Sequence, residues 1–135
     1  LSQAACFALL AGRARFSYSL PRLLLPQAGA AVAMALLPLL PSFPPLLALA
    51  PVLGASFGLS YTASLYASLD EPSGKGRNAG IHEALVGAGT FLLPLLGGAV
   101  ARFGGWLAAP YLLSSAWILA ALGLQLAWWR RRPRP

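Results

Sequence analysis

The length of its uncharged apolar segments is what most constrains the fold of this chain. Residues 45–69 contain no charged side chain, and neither do residues 106–129. Two further segments, 20–40 and 80–100, are nearly as apolar. Since a helix needs about twenty apolar residues to cross a bilayer core of ~30 Å, each segment is long enough to span. We therefore predict an all-α integral membrane protein, a multi-span helical bundle whose first partner is the lipid bilayer.

Composition excludes several classes of function. Only 10% of the 135 residues are charged and 58% are hydrophobic, whereas soluble domains carry about 25% charge. The single cysteine, Cys6, and the single histidine, His82, exclude an internal disulfide and a Cys/His metal site. Three acidic residues leave little room for paired-carboxylate chemistry. We expect neither an enzyme nor a bound metal or cofactor.

The basic residues mark the two sides of the membrane. They fall in short clusters between apolar segments, rather than on the stripe that nucleic acid binding would need, so we expect no nucleic acid partner. Alternate connections carry nine basic residues on one side and only Arg102 on the other. Cytoplasmic connections are enriched in Lys and Arg, which predicts a multi-pass protein of the plasma membrane with a cytoplasmic carboxyl terminus. The nine lie at Arg13, Arg15, Arg22, Lys75, Arg77, Arg130, Arg131, Arg132 and Arg134.

The segments between the spans are short. Residues 41–45 predict a tight hairpin, 70–78 a polar loop and 102–105 a glycine link, while 130–135 form a basic tail. The first apolar run, 1–11, is about half a span and follows no initiator Met. We interpret it as the end of a truncated helix, with further amino-terminal helices of the same polypeptide missing.

The span at 80–100 has a glycine face followed by a proline. Glycines allow close helix packing in lipid, and a proline removes a backbone hydrogen bond and bends the helix. This combination suits a helix that packs tightly and flexes. The residues concerned are Gly80, Gly89, Pro94, Gly97 and Gly98.

These residues resemble antiporter-type motif C of the major facilitator superfamily, with Leu93 in place of the glycine before the proline. The motif is usual in the fifth helix of that family, and the span at 80–100 would correspond to the eleventh. The whole layout resembles helices eight to twelve, with Gly12-Arg13 similar to the end of motif A. That motif's acidic residue and its preceding Arg are absent. The resemblance implies a carboxy-terminal part of such a transporter.

The span at 45–69 carries hydroxyls at every fourth position, which places them along one helix face. One hypothesis is that this face lines a substrate cavity, with Ser56, Ser60, Tyr61 and Ser64 as candidates. The alternative is that the serines bond back to carbonyls of their own helix or to neighbouring helices.

His82 and Glu83 are the ionisable residues nearest the apolar part of a span, and such residues are functional candidates by default. We expect both in the first turn of their helix, with Asn78 as a cap. One hypothesis gives them a gating or coupling role, with Glu83 paired to an Arg or relaying protons. The alternative is a structural role at the helix start.

The expected function is secondary active transport of a small solute by alternating access, with proton-coupled efflux as one form of it. The alternative is a small structural or assembly subunit of a membrane complex, which would use the same glycine faces without a cavity.

Overall fold

The computed structural model describes residues 2–10, 20–40, 42–70 and 74–131. All regular structure within these ranges is helical, as predicted, and none of it is strand. A 3₁₀ turn, Leu37–Leu39, extends the second helix. The α-helices are α1 Ser2–Leu10, α2 Leu20–Leu36, α3 Phe43–Asp70, α4 Lys75–Gly104 and α5 Ala109–Arg131.

Four of the helices form a ring. α3 packs against α2 and α4, and α5 packs against the same two helices, while α1 lies against α3. The connections between α2, α3, α4 and α5 are short, so successive helices run antiparallel. This arrangement leaves a space in the middle of the ring that all four helices border.

Two helices, α3 and α4, are longer than the apolar segments predicted. α3 begins at Phe43 rather than after a hairpin ending at residue 45. Prolines at positions 44 and 45 are compatible with this, since the first turn of a helix has no intrahelical use for their missing N–H groups. Of the expected hairpin, position 41 lies outside the described residues.

The polar loop is shorter than predicted, and the glycine link lies later in the chain, at 105–108 instead of 102–105. α4 begins at Lys75, directly after Gly74 with its φ of 86°, and it ends at Gly104, directly before Gly105 with its φ of 65°. Both conformations are left-handed, which glycine adopts without steric cost. The two glycines therefore fix the helix ends, and the polar residues 75–78 lie inside the helix.

Three helices are long and apolar enough to cross a membrane: Phe43–Leu69, Lys75–Gly104 and Ala109–Arg131. The segment predicted at 20–40 forms a shorter apolar helix, because Pro38 interrupts the α-helical hydrogen bonding and the chain continues as a 3₁₀ turn. At standard rises, α2 and this turn together extend about 31 Å, close to the thickness of the bilayer core. The expected half-helix at 1–11 is helical over Ser2–Leu10.

Small residues mediate the contacts between helices. A Cβ built on Gly97 would lie 2.8 Å from Cα of Pro110, so α4 and α5 touch through their backbones there. A Cβ on Gly58 would lie 3.0 Å from Cβ of Cys6. Helices in lipid associate through such close contacts. The buried side chains of the described residues are mainly small ones, namely Cys6, Ala30, Ala31, Ala33, Ser56, Ala63, Ala109, Ser115 and Leu122.

Large apolar side chains cover the outside of the bundle. Phe103 is 84% exposed, Leu107 81% and Leu25 80%. An apolar surface of this extent is costly in water and favourable against lipid acyl chains. Together with the three long apolar helices, it indicates a membrane-embedded protein.

Candidate functional site

A hydrogen-bonded cluster joins α3 to α4. Tyr61 donates its hydroxyl to Oε1 of Glu83 at 2.7 Å. Oγ of Ser64 lies 2.8 Å from Nε2 of His82, and Nδ1 of the same ring lies 3.2 Å from Oε1 of Glu83. Four of the six residues singled out from the sequence as cavity or coupling candidates therefore meet at one place. We call Tyr61, Ser64, His82 and Glu83 the α3–α4 cluster.

The position of the cluster corrects one prediction. His82 and Glu83 were expected in the first turn, but α4 begins at Lys75, about two turns earlier. Asn78 is not the cap, because Gly74 occupies that position and accepts a backbone hydrogen bond from the N–H of Asn78 at 2.9 Å. The helix macrodipole acts mainly within the first turn, so it contributes little to the state of Glu83. The side-chain contacts within the cluster are the stronger influence.

The hydroxyl of Ser64 has two acceptors within reach. It has one hydrogen, which it can give to the backbone carbonyl of Tyr61 at 3.0 Å or to Nε2 of His82 at 2.8 Å. When a neutral His82 has its hydrogen on Nδ1, Ser64 donates to Nε2 and Nδ1 donates to Oε1 of an ionised Glu83. When the hydrogen is on Nε2, His82 donates to Ser64, and the contact between Nδ1 and Glu83 is a hydrogen bond only if the pair holds one further proton.

One further proton on the His82–Glu83 pair therefore changes which atoms donate within the cluster. In either state Tyr61 donates to Glu83 and Ser64 is joined to His82, so both bonds between α3 and α4 are kept. The contact between His82 and Glu83 themselves lies within α4.

The two members of the pair differ in exposure. The side chain of His82 is 11% exposed, whereas that of Glu83 is 52% exposed. The ring of His82 lies edge-on to Tyr61, with centroids 5.4 Å apart, and Tyr61 also contacts Phe7 of α1 at 5.7 Å. Within the described ranges Glu83 contacts His82 at 3.2 Å, and the pairing with an Arg that we expected is not found there.

The hydroxyl face of α3 serves more than one purpose. Ser64 bonds both to its own helix and to α4, and Ser68 donates to the carbonyl of Leu65 at 2.7 Å. Ser56 is 3% exposed and thus buried inside the bundle, while Ser60 is half-buried. The bonds made by Ser64 are those of the alternative hypothesis, in which the serines bond to their own helix or to a neighbouring one.

A cleft of about 460 Å³ is lined by residues of all four helices of the ring. We call it the central cleft. None of the four cavity candidates on α3 lines it, and α3 contributes Phe57 instead. The sequence offered no signal for this, because an apolar residue in a span looks the same whether it faces a cleft or lipid. The central cleft is lined by Met34, Leu37, Phe57, Gly89, Thr90, Leu93, Pro94, Pro110, Tyr111, Ser114, Trp117 and Ile118.

The glycines and the proline of the motif C-like segment lie in different surroundings. Gly89 and Pro94 line the central cleft, and Gly97 forms the close contact with Pro110. Gly80 and Gly98 have open space where a Cβ would be placed. Helix packing through glycine is thus seen at Gly97.

Two glutamines went unnoticed in the sequence. Oε1 of Gln27 on α2 and Oε1 of Gln125 on α5 are buried and have no hydrogen-bond partner among the residues that the structure describes. Unpaired amide oxygens are costly in an apolar interior. The sequence signal for these two sites was a single Gln within each otherwise apolar span.

Comparison with known proteins supplies no relative for these sites: no family model, curated protein or solved structure matches the chain.

Proposed function

We propose that this protein is a secondary active transporter that moves a small solute by alternating access, in exchange for protons. The observation that carries the proposal is the α3–α4 cluster. It links two long apolar helices through an ionisable His–Glu pair whose protonation changes which atom donates to Ser64. Ionisable residues in membrane spans are expensive and mark proton relays and ion pathways.

The coupling follows from where the proton binds. Tyr61 and Ser64 of α3 are both bonded to α4 at this crossing. A proton gained by the pair reverses the direction of the bond between Ser64 and His82 and removes the net charge of the pair, and in the proposed mechanism this change alters the preferred arrangement of α3 against α4. A proton that favours one arrangement of two helices supplies the differential interaction that a conformational change requires.

The proposal extends to the architecture of the whole transporter and to the orientation of this chain in the membrane. The motif C-like helix and the order of spans support a major facilitator superfamily architecture, with this chain as helices eight to twelve of the carboxy-terminal half. Alternate placement of the basic residues supports a plasma membrane protein with its carboxyl terminus in the cytoplasm.

The experiment is solute uptake into proteoliposomes that contain the purified protein, expressed as its gene encodes it. A panel of amphipathic fluorescent solutes is tested with an inward or outward pH gradient. If the protein is a transporter, proteoliposomes that contain it and no other protein accumulate at least one solute, and the amount depends on the pH gradient. If it is an assembly subunit, which is the alternative, the proteoliposomes accumulate none of the solutes, and the protein co-purifies in mild detergent with a partner in fixed proportion.

A further inference from the structure

The central cleft has the size and composition of a small-molecule site. Its volume of about 460 Å³ lies within the range of roughly 300–1,000 Å³ typical of ligand pockets, which are mostly apolar with a few polar groups. All four helices of the ring contribute to it, and none of the described residues that line it is charged. A ligand that carries a net charge would therefore find no partner there for that charge.

Aromatic side chains border the cleft on two helices. Phe57 comes from α3, while Tyr111 and Trp117 come from α5. Aromatic rings attract other rings in stacked or edge-on arrangements, beyond what the buried area alone contributes. The walls thus favour a ligand with a flat ring over a flexible aliphatic one.

Two hydroxyls of the cleft are placed to accept. The hydroxyl of Thr90 donates to the carbonyls of Val86 and Gly87 at 3.0 and 2.9 Å. That of Ser114 donates to the carbonyl of Pro110 at 2.8 Å. Because each hydroxyl has a single hydrogen, a bond that Thr90 or Ser114 makes with a ligand while keeping its backbone partner is one in which the ligand donates.

Pro94 adds a further acceptor on the same face. It has no N–H to give to the backbone carbonyl of Thr90, four residues earlier, so that carbonyl lacks its α-helical donor. Residues i and i+4 share one face of a helix, and both Thr90 and Pro94 line the cleft. A donor group on a ligand would find this carbonyl unoccupied by the helix.

We propose that the central cleft binds an uncharged, lipophilic molecule with an aromatic ring and a hydrogen-bond donor, such as a phenol or an anilide. The inference rests on the proposed function only in treating this molecule as the transported solute, because binding is measured without transport. A lipid acyl chain is the other occupant an apolar cleft in a membrane must admit. It has neither a ring for the aromatic walls nor a donor for Thr90.

Photolabelling tests the proposal. The probe is 4-hydroxybenzophenone, which has two rings and one phenolic donor and inserts into nearby C–H bonds on irradiation. The purified protein is labelled in detergent and in lipid nanodiscs, and the labelled peptide is identified by mass spectrometry. We expect saturable labelling at Met34, the single methionine of the chain, or at its neighbours in the cleft. Excess 1-naphthol should remove the label, and excess palmitate should not.

Two pairs of variants locate the site. Gly89→Leu fills the cleft, and the helix tolerates it because a Cβ at this position meets nothing within 4 Å. Gly98→Leu is the matched control, since a Cβ there is equally unobstructed but lies outside the cleft. Thr90→Val removes a lining hydroxyl, and Thr62→Val removes one that donates to the carbonyl of Gly58 elsewhere. We expect Gly89→Leu to lose the saturable label. We expect Thr90→Val to weaken binding about threefold to tenfold, as loss of one hydrogen bond does, and both controls to bind as the wild type.

Labelling that does not saturate, that persists in Gly89→Leu, or that palmitate removes while 1-naphthol does not would overturn the proposal. Specific labelling by a protein that moves no solute would leave the cleft as a binding site and count against the transport function alone.

Discussion

Tyr61 and Ser64 on α3 fasten α4 through His82 and Glu83. The spacing of hydroxyls in the sequence identified the face on which Tyr61 and Ser64 lie, and the rarity of ionisable residues identified the other two. Their meeting was beyond the sequence, because residues 18 to 22 positions apart on different helices have no local periodicity in common. The helix start at Lys75 was missed for a related reason: polar residues 75–78 break the hydropathy pattern without breaking the helix.

A double-mutant cycle measures the link between Tyr61 and Glu83. Tyr61→Phe and Glu83→Ala each remove the same hydrogen bond, so their effects on the free energy of unfolding in detergent should add to more than that of the double variant. Tyr111→Phe combined with Glu83→Ala is the control, since Tyr111 lies on α5 in the central cleft, and these two effects should be additive. Additivity in the first pair would show that the bond between α3 and α4 does not form in solution.

Contacts between whole helices depend on single small residues. The sequence predicted glycine packing for the motif C-like segment as a set, but the structure uses its members differently. Gly97 touches the backbone of Pro110, while Gly98, one position later, faces open space. Neighbouring residues on a helix point about 100° apart, and which one meets a neighbour depends on how the helices are rotated in the ring. Hydropathy alone does not fix that rotation.

Gly97→Ala should separate α4 from α5. The added methyl group would approach Cα of Pro110 to 2.8 Å, and because this atom is backbone, a helix must shift. Such overpacking costs about 1–3 kcal/mol, measured as a fall in the midpoint of unfolding in detergent. Gly98→Ala is the matched control, for which a stabilisation of up to about 1 kcal/mol is expected because alanine favours the helix over glycine. Equal behaviour of the two variants would contradict the close contact.

Ser115 bonds α5 to α2, and its removal should weaken that pair. Its hydroxyl donates to the carbonyl of Ala31 at 2.8 Å and is buried. Ser115→Ala should lower the free energy of unfolding by about 0.5–1.5 kcal/mol. Ser114→Ala, which removes a hydroxyl bonded within its own helix, should have a smaller effect, and thermal unfolding of both variants in one detergent decides the order.

The molecule as a whole has an outside suited to lipid and a cleft at its centre. The low charge and the long apolar segments were sufficient to predict an all-α membrane bundle. They did not predict the ring of four helices, because every span is apolar over most of its surface and none has a single face that demands burial. The central cleft is a consequence of that ring, so no part of it was visible in the sequence.

The two ends of α4 should lie on opposite sides of the membrane. In a Cys6→Ala background, Gly76→Cys tests the end at Lys75, and Leu107→Cys tests the connection after Gly104. A membrane-impermeant thiol reagent applied to intact cells should label Leu107→Cys, and it should label Gly76→Cys only after permeabilisation. The reverse pattern would invert the orientation deduced from the basic residues, and labelling of both in intact cells would contradict a membrane-spanning α4.

Solute-driven proton movement across a membrane tests the role of the α3–α4 cluster most directly. Proteoliposomes loaded with a pH indicator are compared for the wild type, Glu83→Gln and Glu71→Gln, the last removing one carboxylate from the polar segment between α3 and α4. We predict that a transported solute changes the luminal pH with the wild type and with Glu71→Gln, and leaves it unchanged with Glu83→Gln at equal protein content. Proton movement in Glu83→Gln equal to that of the wild type would contradict the proposed coupling.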